Sequence, residues 1–195
     1  MPANAKILQH AYGFDDVSIA PGEVTINPDM VDVSVDFSGV KLKTPIIASA
    51  MDAVVDTSFA VDIHKFGGLG VLNLDGIQCR FEDTNAIYKE IAACPVKKAT
   101  SLMQKIYSEP IKTVLISKRV EEIKNKSATA AVSFVPQNAK RHAPIAVEAG
   151  ADIVVVQGTV ITARHTSRSL RGLILSELVK DLRVPVIVGN TVSYE

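Results

Sequence analysis

The chain of 195 residues contains no tryptophan, only two cysteines and no excess of either charge. Its 21 basic and 21 acidic residues cancel, so the composition favours neither a nucleic-acid partner nor attraction to an anionic membrane. No stretch reaches the roughly 18 apolar residues of a membrane-spanning helix, and the N-terminus lacks the apolar core of a signal peptide. We therefore expect a cytoplasmic protein that binds neither nucleic acid nor membrane.

The two thiols, Cys79 and Cys94, lie far from any Cys-x-x-Cys pair or histidine at ligand spacing. The sequence therefore predicts reduced cysteines and no metal site. Arg80 follows Cys79 and would favour its thiolate, which makes Cys79 a candidate nucleophile, with a structural thiol as the alternative. His165, in a polar loop, is a candidate acid or base, although no Ser-His-Asp arrangement accompanies it.

Five apolar runs rich in β-branched residues alternate with helical segments. Such strands are typical of a parallel sheet that is buried on both faces. The pattern predicts an α/β fold of the (β/α)8 TIM-barrel type. A closed barrel has eight strands and about 250 residues, so five βα units predict an incomplete barrel with an open edge on each side. The predicted strands are Pro45–Ala48, Leu69–Leu72, Ala130–Phe134, Ile153–Val156 and Val184–Val188.

Cap residues and periodicity predict the helices between these strands. Asp56 or Thr57 can begin a helix that ends at Gly67, since glycine suits the left-handed residue after a helix. A second helix, from about residue 137 to 149, contains Pro144, which must kink the helix or move its start later. Before the last strand, apolar residues at helical spacing predict a further helix, namely Leu170, Ile174 and Leu178.

A single domain is predicted to span residues 1–195. Residues 1–44 form an N-terminal segment and a hairpin, with strands Val31–Phe37 and Val40–Lys43 lying across the bottom of the barrel. Residues 45–195 carry the five strands. The long connection from about residue 74 to 129 shows helical spacing and predicts a helical excursion of the same domain.

In barrels of this type, functional groups lie at the C-terminal ends of the strands and in the loops that follow them. There the chain carries the hydroxyl of Ser49 and the thioether of Met51, which can lie against a flat ring. Gly158, next to Gln157, lets a ligand approach the backbone, and the Asn190 amide can donate and accept hydrogen bonds. The alternatives are a helix-start serine, a core methionine, a turn glycine and an asparagine that closes its own turn.

Five short strings, in barrel order and spacing, resemble those of the IMP dehydrogenase/GMP reductase family, and the resemblance covers nearly the whole chain. It implies a barrel oxidoreductase that acts at C2 of a purine mononucleotide through a cysteine thioimidate. In this family, one reaction oxidises IMP to XMP with NAD in guanine nucleotide synthesis, and the other reduces GMP to IMP with NADPH. The strings are Tyr12–Val17, Ser49–Asp52, Gly67–Gly70, Glu148–Asp152 and Val188–Asn190.

The resemblance also implies roles for the residues at the strand ends. Ser49 and Met51 would contact the nucleotide, while Asn190, Gln157 and Gly158 would face the nicotinamide cofactor. The stretch Val154–Gly158 lacks the acidic residue of the family's cofactor loop, so the cofactor is NAD or NADP. The resemblance further implies a homotetramer and a monovalent cation for full-length relatives.

Two departures from the family's pattern affect the expected activity. The connection from 74 to 129 has no room for a CBS domain pair, which resembles the CBS-lacking, IMP dehydrogenase-related subfamily. The family's nucleophilic cysteine and phosphate loops follow strand six, so we expect this chain to lack the catalytic residue and to be inactive alone. IMP dehydrogenase is the favoured activity, and the alternatives are a GMP reductase, a non-catalytic partial barrel and an unrelated phosphate- or flavin-binding barrel.

Overall fold

The computed structural model describes residue 10, residues 12–161 and residues 172–191. The chain divides into two compact units, Met1–Asp32 and Val33–Glu195. The first unit contains two 3-10 turns, Phe14–Asp16 and Pro28–Met30. Whether residues 1–195 behave as one domain stays a prediction.

The second unit begins with an antiparallel hairpin of β1 (Val35–Phe37) and β2 (Val40–Leu42). Its strands are shorter than predicted, with three residue pairs from Val35–Leu42 to Phe37–Val40. Leu42 is buried in a cluster with the first residues of three strands of the main sheet, Leu69, Ala131 and Ile153. The hairpin therefore covers one face of that sheet at the N-terminal ends of its strands, as the sequence predicted.

The main sheet is parallel and has five strands in chain order. This order, with helices between the strands, confirms the predicted incomplete TIM-type barrel. The first and last strands begin two residues later than predicted, because the prolines before them have no N–H to donate to a ladder. The strands are β3 (Ile47–Ala48), β4 (Leu69–Asn73), β5 (Ala131–Phe134), β6 (Ile153–Gln157) and β7 (Val186–Gly189).

Side chains of the strands alternate between two apolar clusters. In β5, Ala131 belongs to the inner cluster under the hairpin, whereas Val132 and Phe134 pack in the outer cluster against the helices. Because both faces are covered, every residue of β5 is buried. This explains why the strands appear in the sequence as continuous apolar runs rather than as alternating ones.

Six helices occur in the described residues, and three of them lie in the connection between β4 and β5. None of the helices described is long and apolar enough to span a lipid bilayer. The helices are α1 (Thr57–Lys65), α2 (Thr84–Ala93), α3 (Val96–Ser108), α4 (Thr113–Lys124), α5 (Pro136–Glu148) and α6 (Leu175–Asp181).

The helix ends test the predictions made from cap residues. The Asp56 carboxylate accepts a hydrogen bond from the N–H of Phe59 (2.7 Å), and Gly67 follows α1 with φ +83°, so both predicted ends are confirmed. The start of α5 is not moved later by Pro144, because Pro136 suits the first helical position and the helix continues through Pro144. The last helix is shorter than predicted and begins after Ile174, while Leu170 lies outside the described residues.

Candidate functional site

The C-terminal ends of the five parallel strands lie at one edge of the sheet. Both β4 and β6 extend one residue beyond their apolar runs and end in an amide side chain, Asn73 and Gln157. The amide of Gln157 donates a hydrogen bond to the carbonyl of Ala50 (3.3 Å), which follows β3. Because β3 and β6 are three strands apart, this bond shows that the sheet curls and brings the two ends together.

The predicted nucleotide residues lie on either side of Ala50. Ser49 is exposed, and Met51 is 55% exposed, so the alternative of a core methionine is wrong. The N–H of Met51 donates to the carbonyl of Ser49 (2.8 Å), while the Met51 carbonyl accepts from the N–H of Val55 (3.0 Å) at the approach to α1. The hydroxyl and the thioether are therefore carried on one short turn at the sheet edge.

The predicted cofactor residues also lie together. The Gly158 N–H donates to the carbonyl of Gly189 (2.9 Å), and the Asn190 N–H donates to the carbonyl of Gly158 (2.9 Å). Asn190 is exposed and Gly158 is half-buried, so both are accessible from solvent. Through the bond between Gln157 and Ala50, this pair is connected to the turn that carries Ser49 and Met51.

Asp52, which the sequence placed at a strand end without a role, is the centre of a hydrogen-bond network. Its carboxylate accepts from the N–H of Ile77 (3.0 Å), from the amide of Asn73 (3.3 Å) and from the hydroxyl of Tyr107. The backbone of Gly76 packs directly against it, since a Cβ on that residue would lie 2.0 Å from Oδ1. Asp52 therefore joins the ends of β3 and β4 to helix α3.

Arg80 extends this network, because its guanidinium contacts the ring of Tyr107. Its guanidinium carbon lies 5.6 Å from the centre of the Tyr107 ring, within range of a cation–π contact. The same guanidinium donates to the carbonyl of Asp75 from Nε (3.2 Å) and Nη2 (3.0 Å), and to the carbonyl of Glu109. Burial raises the pKa of the Tyr107 phenol, and its hydrogen bond to the Asp52 carboxylate raises it further.

Asp75 is a second carboxylate near the sheet edge. It accepts hydrogen bonds from the N–H of Val135 (2.6 Å) and from the amide of Asn138 (2.8 Å), at the start of α5. Burial raises the pKa of Asp75, although these two bonds and the positive charge of Arg80 act in the opposite direction. A carboxylate in this position stabilises the N-terminus of α5.

The prediction that Cys79 is a candidate nucleophile is wrong. Its side chain is fully buried, and burial raises the pKa of its thiol to about 12, an effect that outweighs the nearby arginines. Cys94 is half-buried, and its thiol contacts the carbonyl of Pro95 (3.5 Å). His165 lies outside the described residues. Across residues 10, 12–161 and 172–191, no group of three or more His, Cys, Asp or Glu side chains could hold a metal ion.

Sequence reasoning identified the strand ends but missed how they are joined. Asn73 and Asp52 could be placed at the sheet edge, because Asn73 directly follows a predicted strand and Asp52 lies four residues after another. Tyr107 has no such signal in the sequence. It lies near the end of helix α3, 55 residues after its hydrogen-bond partner Asp52. Long-range hydrogen bonds of this kind have no local pattern in the sequence.

A curled sheet of parallel strands, with helices outside it and polar groups at its C-terminal edge, defines the class of TIM-barrel domains. The chain belongs to the IMP dehydrogenase / GMP reductase family, because the sequence profile of that domain matches residues 11–195.

Individual relatives agree with this assignment. An uncharacterized oxidoreductase of Mycolicibacterium smegmatis is 30% identical over 194 residues, which is 97% of this chain and 52% of the relative. The inosine-5'-monophosphate dehydrogenase of Methanocaldococcus jannaschii is 43% identical over 63 residues, 32% of this chain and 13% of that protein. The crystal structure of an IMP dehydrogenase/GMP reductase-like protein from Corynebacterium glutamicum superposes with a TM-score of 0.87 at 31% identity, covering 96% of this chain and 50% of that one. Nearly all of this chain matches the oxidoreductase and the Corynebacterium protein, but it spans only about half the length of each.

Proposed function

We propose that this chain forms the nucleotide-facing part of an oxidoreductase of the IMP dehydrogenase type, which converts IMP to XMP with NAD. The observation that carries the proposal is the exposed turn of Ser49 and Met51 at the sheet edge of a chain that belongs to this family. GMP reductase, which converts GMP to IMP with NADPH, is the second candidate. The acid-free stretch Val154–Gly158 supports it, because no carboxylate there holds a cofactor ribose.

The turn after β3 suits a purine mononucleotide. The Met51 thioether is polarizable and lies in solvent, where a flat purine ring can pack against it. The Ser49 hydroxyl, two residues earlier, can donate and accept hydrogen bonds with polar groups of the nucleotide. The bond between Gln157 and the Ala50 carbonyl holds this turn beside the end of β6.

The ends of β6 and β7 fit a nicotinamide group. Gly158 leaves the backbone open to a flat ligand, and the exposed Asn190 amide offers both a donor and an acceptor to a carboxamide. A nicotinamide bound there would take up or deliver the hydride that the purine carbon loses or gains. The proximity of the two sets of residues supports this arrangement, because hydride transfer requires the reacting atoms to lie within about 3–3.5 Å.

The 195-residue polypeptide alone is proposed to bind nucleotide weakly and to have no turnover. Activation of the purine C2 in this family requires a cysteine thiolate, and the buried Cys79 thiol stays protonated at neutral pH. The purified chain is offered IMP with NAD and, separately, GMP with NADPH, while the absorbance of the reduced nicotinamide is followed. Turnover in either direction would contradict this part of the proposal.

Nucleotide binding is measured independently of turnover. The chain is labelled at its methionine methyl groups, and IMP and GMP are titrated while the Met51 methyl resonance is followed by NMR. Met51→Leu identifies this resonance, and Met103, on helix α3, serves as the internal control. We expect saturable shifts at Met51 that exceed any shift at Met103. Unchanged Met51 resonances at millimolar IMP and GMP would overturn the proposed site.

The choice between the two reactions is tested on a completed barrel. Residues 1–195 are fused to the part of the Mycolicibacterium smegmatis oxidoreductase that lies beyond its match to this chain. We expect the fusion to reduce NAD in the presence of IMP, and Met51→Ala to lower kcat/KM by about tenfold or more through lost purine contacts. Oxidation of NADPH with GMP instead would assign the chain to GMP reduction.

A further inference from the structure

The side chain of Tyr107 joins helix α3 to the proposed nucleotide turn by a hydrogen bond. This residue lies near the C-terminal end of α3, and its hydroxyl donates to the carboxylate of Asp52, 55 residues earlier in the chain. Asp52 directly follows Met51 and stands at the end of the turn that begins with Ser49. The contact therefore joins the connection between β4 and β5 to the residues proposed to hold the purine.

The hydrogen bond from Tyr107 and the neighbouring contacts restrict the conformation of the Asp52 side chain. It accepts two further hydrogen bonds, from the N–H of Ile77 and from the amide of Asn73, so three separate segments converge on one carboxylate. Gly76 closes the remaining side, because its backbone lies against the carboxylate. A displaced carboxylate would leave these donors without their partner, which costs more than a lost surface contact.

Tyr107 is itself held in place. The guanidinium of Arg80 lies over its ring at 5.6 Å, and that guanidinium is fixed by backbone carbonyls of Asp75 and Glu109. Of the residues of α3, which the structure describes throughout, only the preceding Ile106 is buried. Ile106 and Tyr107 thus both connect the C-terminal end of α3 to the rest of the unit.

We propose that Tyr107 is a positioning residue for the nucleotide site, which fixes Asp52 and thereby holds Ser49 and Met51 in the conformation that binds a purine. Movement of α3 then changes nucleotide affinity, although α3 does not itself carry any of the predicted site residues. The effect on affinity rests on the proposed function, whereas the effect on the conformation of the turn does not.

The test compares Tyr107→Phe with Tyr88→Phe in the full chain. Each variant removes one phenol hydroxyl, but that of Tyr88 accepts a hydrogen bond from Gln78, whereas that of Tyr107 donates to Asp52. Hydrogen exchange is measured at the amides of residues 49–55 and at Ile77. We expect exchange about tenfold faster in Tyr107→Phe and unchanged in Tyr88→Phe, as the loss of a hydrogen bond to a charged group predicts.

Affinity is measured on the same variants from the Met51 methyl shifts during IMP titration. We expect Tyr107→Phe to raise the Kd by about three- to tenfold, with a melting temperature close to that of Tyr88→Phe. Asp52→Asn, which keeps the shape but weakens the acceptor, should change exchange in the same direction.

The outcomes separate the two hypotheses. If the wild-type chain shows no nucleotide shifts, the proposed function fails, and the exchange comparison still decides whether Tyr107 orders the turn. If the wild-type chain binds IMP while Tyr107→Phe leaves both exchange and Kd unchanged, the positioning role is overturned. Equal effects of Tyr88→Phe and Tyr107→Phe would also overturn it, since the cause would then be general loosening of the helices.

Discussion

Gly76 lies so close to the Asp52 carboxylate that a side chain cannot be added without moving one of them. A Cβ on this residue would be 2.0 Å from Oδ1, and the glycine is buried. We predict that Gly76→Ala lowers the free energy of unfolding by about 1–3 kcal/mol, because overpacking displaces Asp52 from its donors. Urea unfolding measures this change.

Gly22→Ala is the matched control for this prediction. Among the described residues, a Cβ on Gly22 would meet only the carbonyl of Val24, at an ordinary contact distance of 3.9 Å. Its unfolding free energy should stay within about 0.5 kcal/mol of the wild type. A Gly76→Ala variant as stable as this control would show that the loop after β4 adapts without strain.

The raised pKa of Asp75 predicts that the stability of the folded chain depends on pH. Burial raises its pKa in the folded chain above the ordinary value of 3.8, so the folded state binds this proton more tightly than the unfolded state. The resulting stabilisation is fully present below pH 3.8 and is lost as the pH rises through the folded pKa. Relative to Asp75→Asn, the wild type should therefore lose stability from pH 3.8 towards neutrality.

This sign is checked by urea unfolding of both proteins at a series of pH values. A wild type that gains stability over Asp75→Asn as the pH rises would contradict the prediction. That result would mean that the bonds from Val135 and Asn138, together with the N-terminus of α5, outweigh burial.

At the scale of elements, Arg119 holds helix α4 to the segment that follows β4. Its buried guanidinium donates to the carbonyls of Gln78 (2.9 Å), Phe81 (3.1 Å) and Glu82 (2.8 Å), and to the carboxylate of Glu122 (2.8 Å). These contacts satisfy carbonyls in a stretch that has no strand partner of its own. One side chain of α4 therefore determines where the loop after β4 lies.

We predict that Arg119→Met lowers the free energy of unfolding by about 3–5 kcal/mol, because several buried acceptors and the Glu122 carboxylate lose their partner. Lys118→Ala, one residue away, is the control. Lys118 makes an exposed ion pair with Glu82, so its loss should leave stability nearly unchanged. Similar losses in the two variants, measured by urea unfolding, would refute the anchoring role of Arg119.

At the scale of the whole molecule, the main sheet has two strands that each pair with only one other described strand, β3 and β7. Unpaired N–H and carbonyl groups at such edges favour association with another strand. Ile46, just before β3, adds an apolar side chain that is 58% exposed. The chain of 195 residues is therefore predicted to self-associate through its sheet edges.

Sedimentation velocity over a range of concentrations tests this prediction. Ile46→Lys places a charge beside the edge and should shift the distribution towards monomer. Val96→Lys adds the same charge at the start of α3, at a side chain that is 91% exposed, and should have no effect. A wild-type chain that sediments as a monomer and melts sharply would disprove edge association.

The sequence by itself determined the class of fold and the positions of the strand ends. Apolar runs located the five strands and cap residues located α1, because burial on both faces and helix termini impose local residue preferences. The resemblance carried by Ser49–Asp52 and the other strings indicated the family before any contact was known. The predicted boundaries moved at the prolines before β3 and β7, in the hairpin, at the ends of β4 and β6 and in the length of α6.

The tertiary structure alone decided which of these residues meet. The bonds from Gln157 to Ala50, from Tyr107 to Asp52 and from Arg119 to Gln78 span 107, 55 and 41 residues of chain. The burial that raises the pKa of the Cys79 thiol comes from packing around it rather than from its neighbours in sequence. Periodicity tells which face a side chain occupies, whereas its partner is chosen when the sheet curls and the helices pack, and that choice has no local signal.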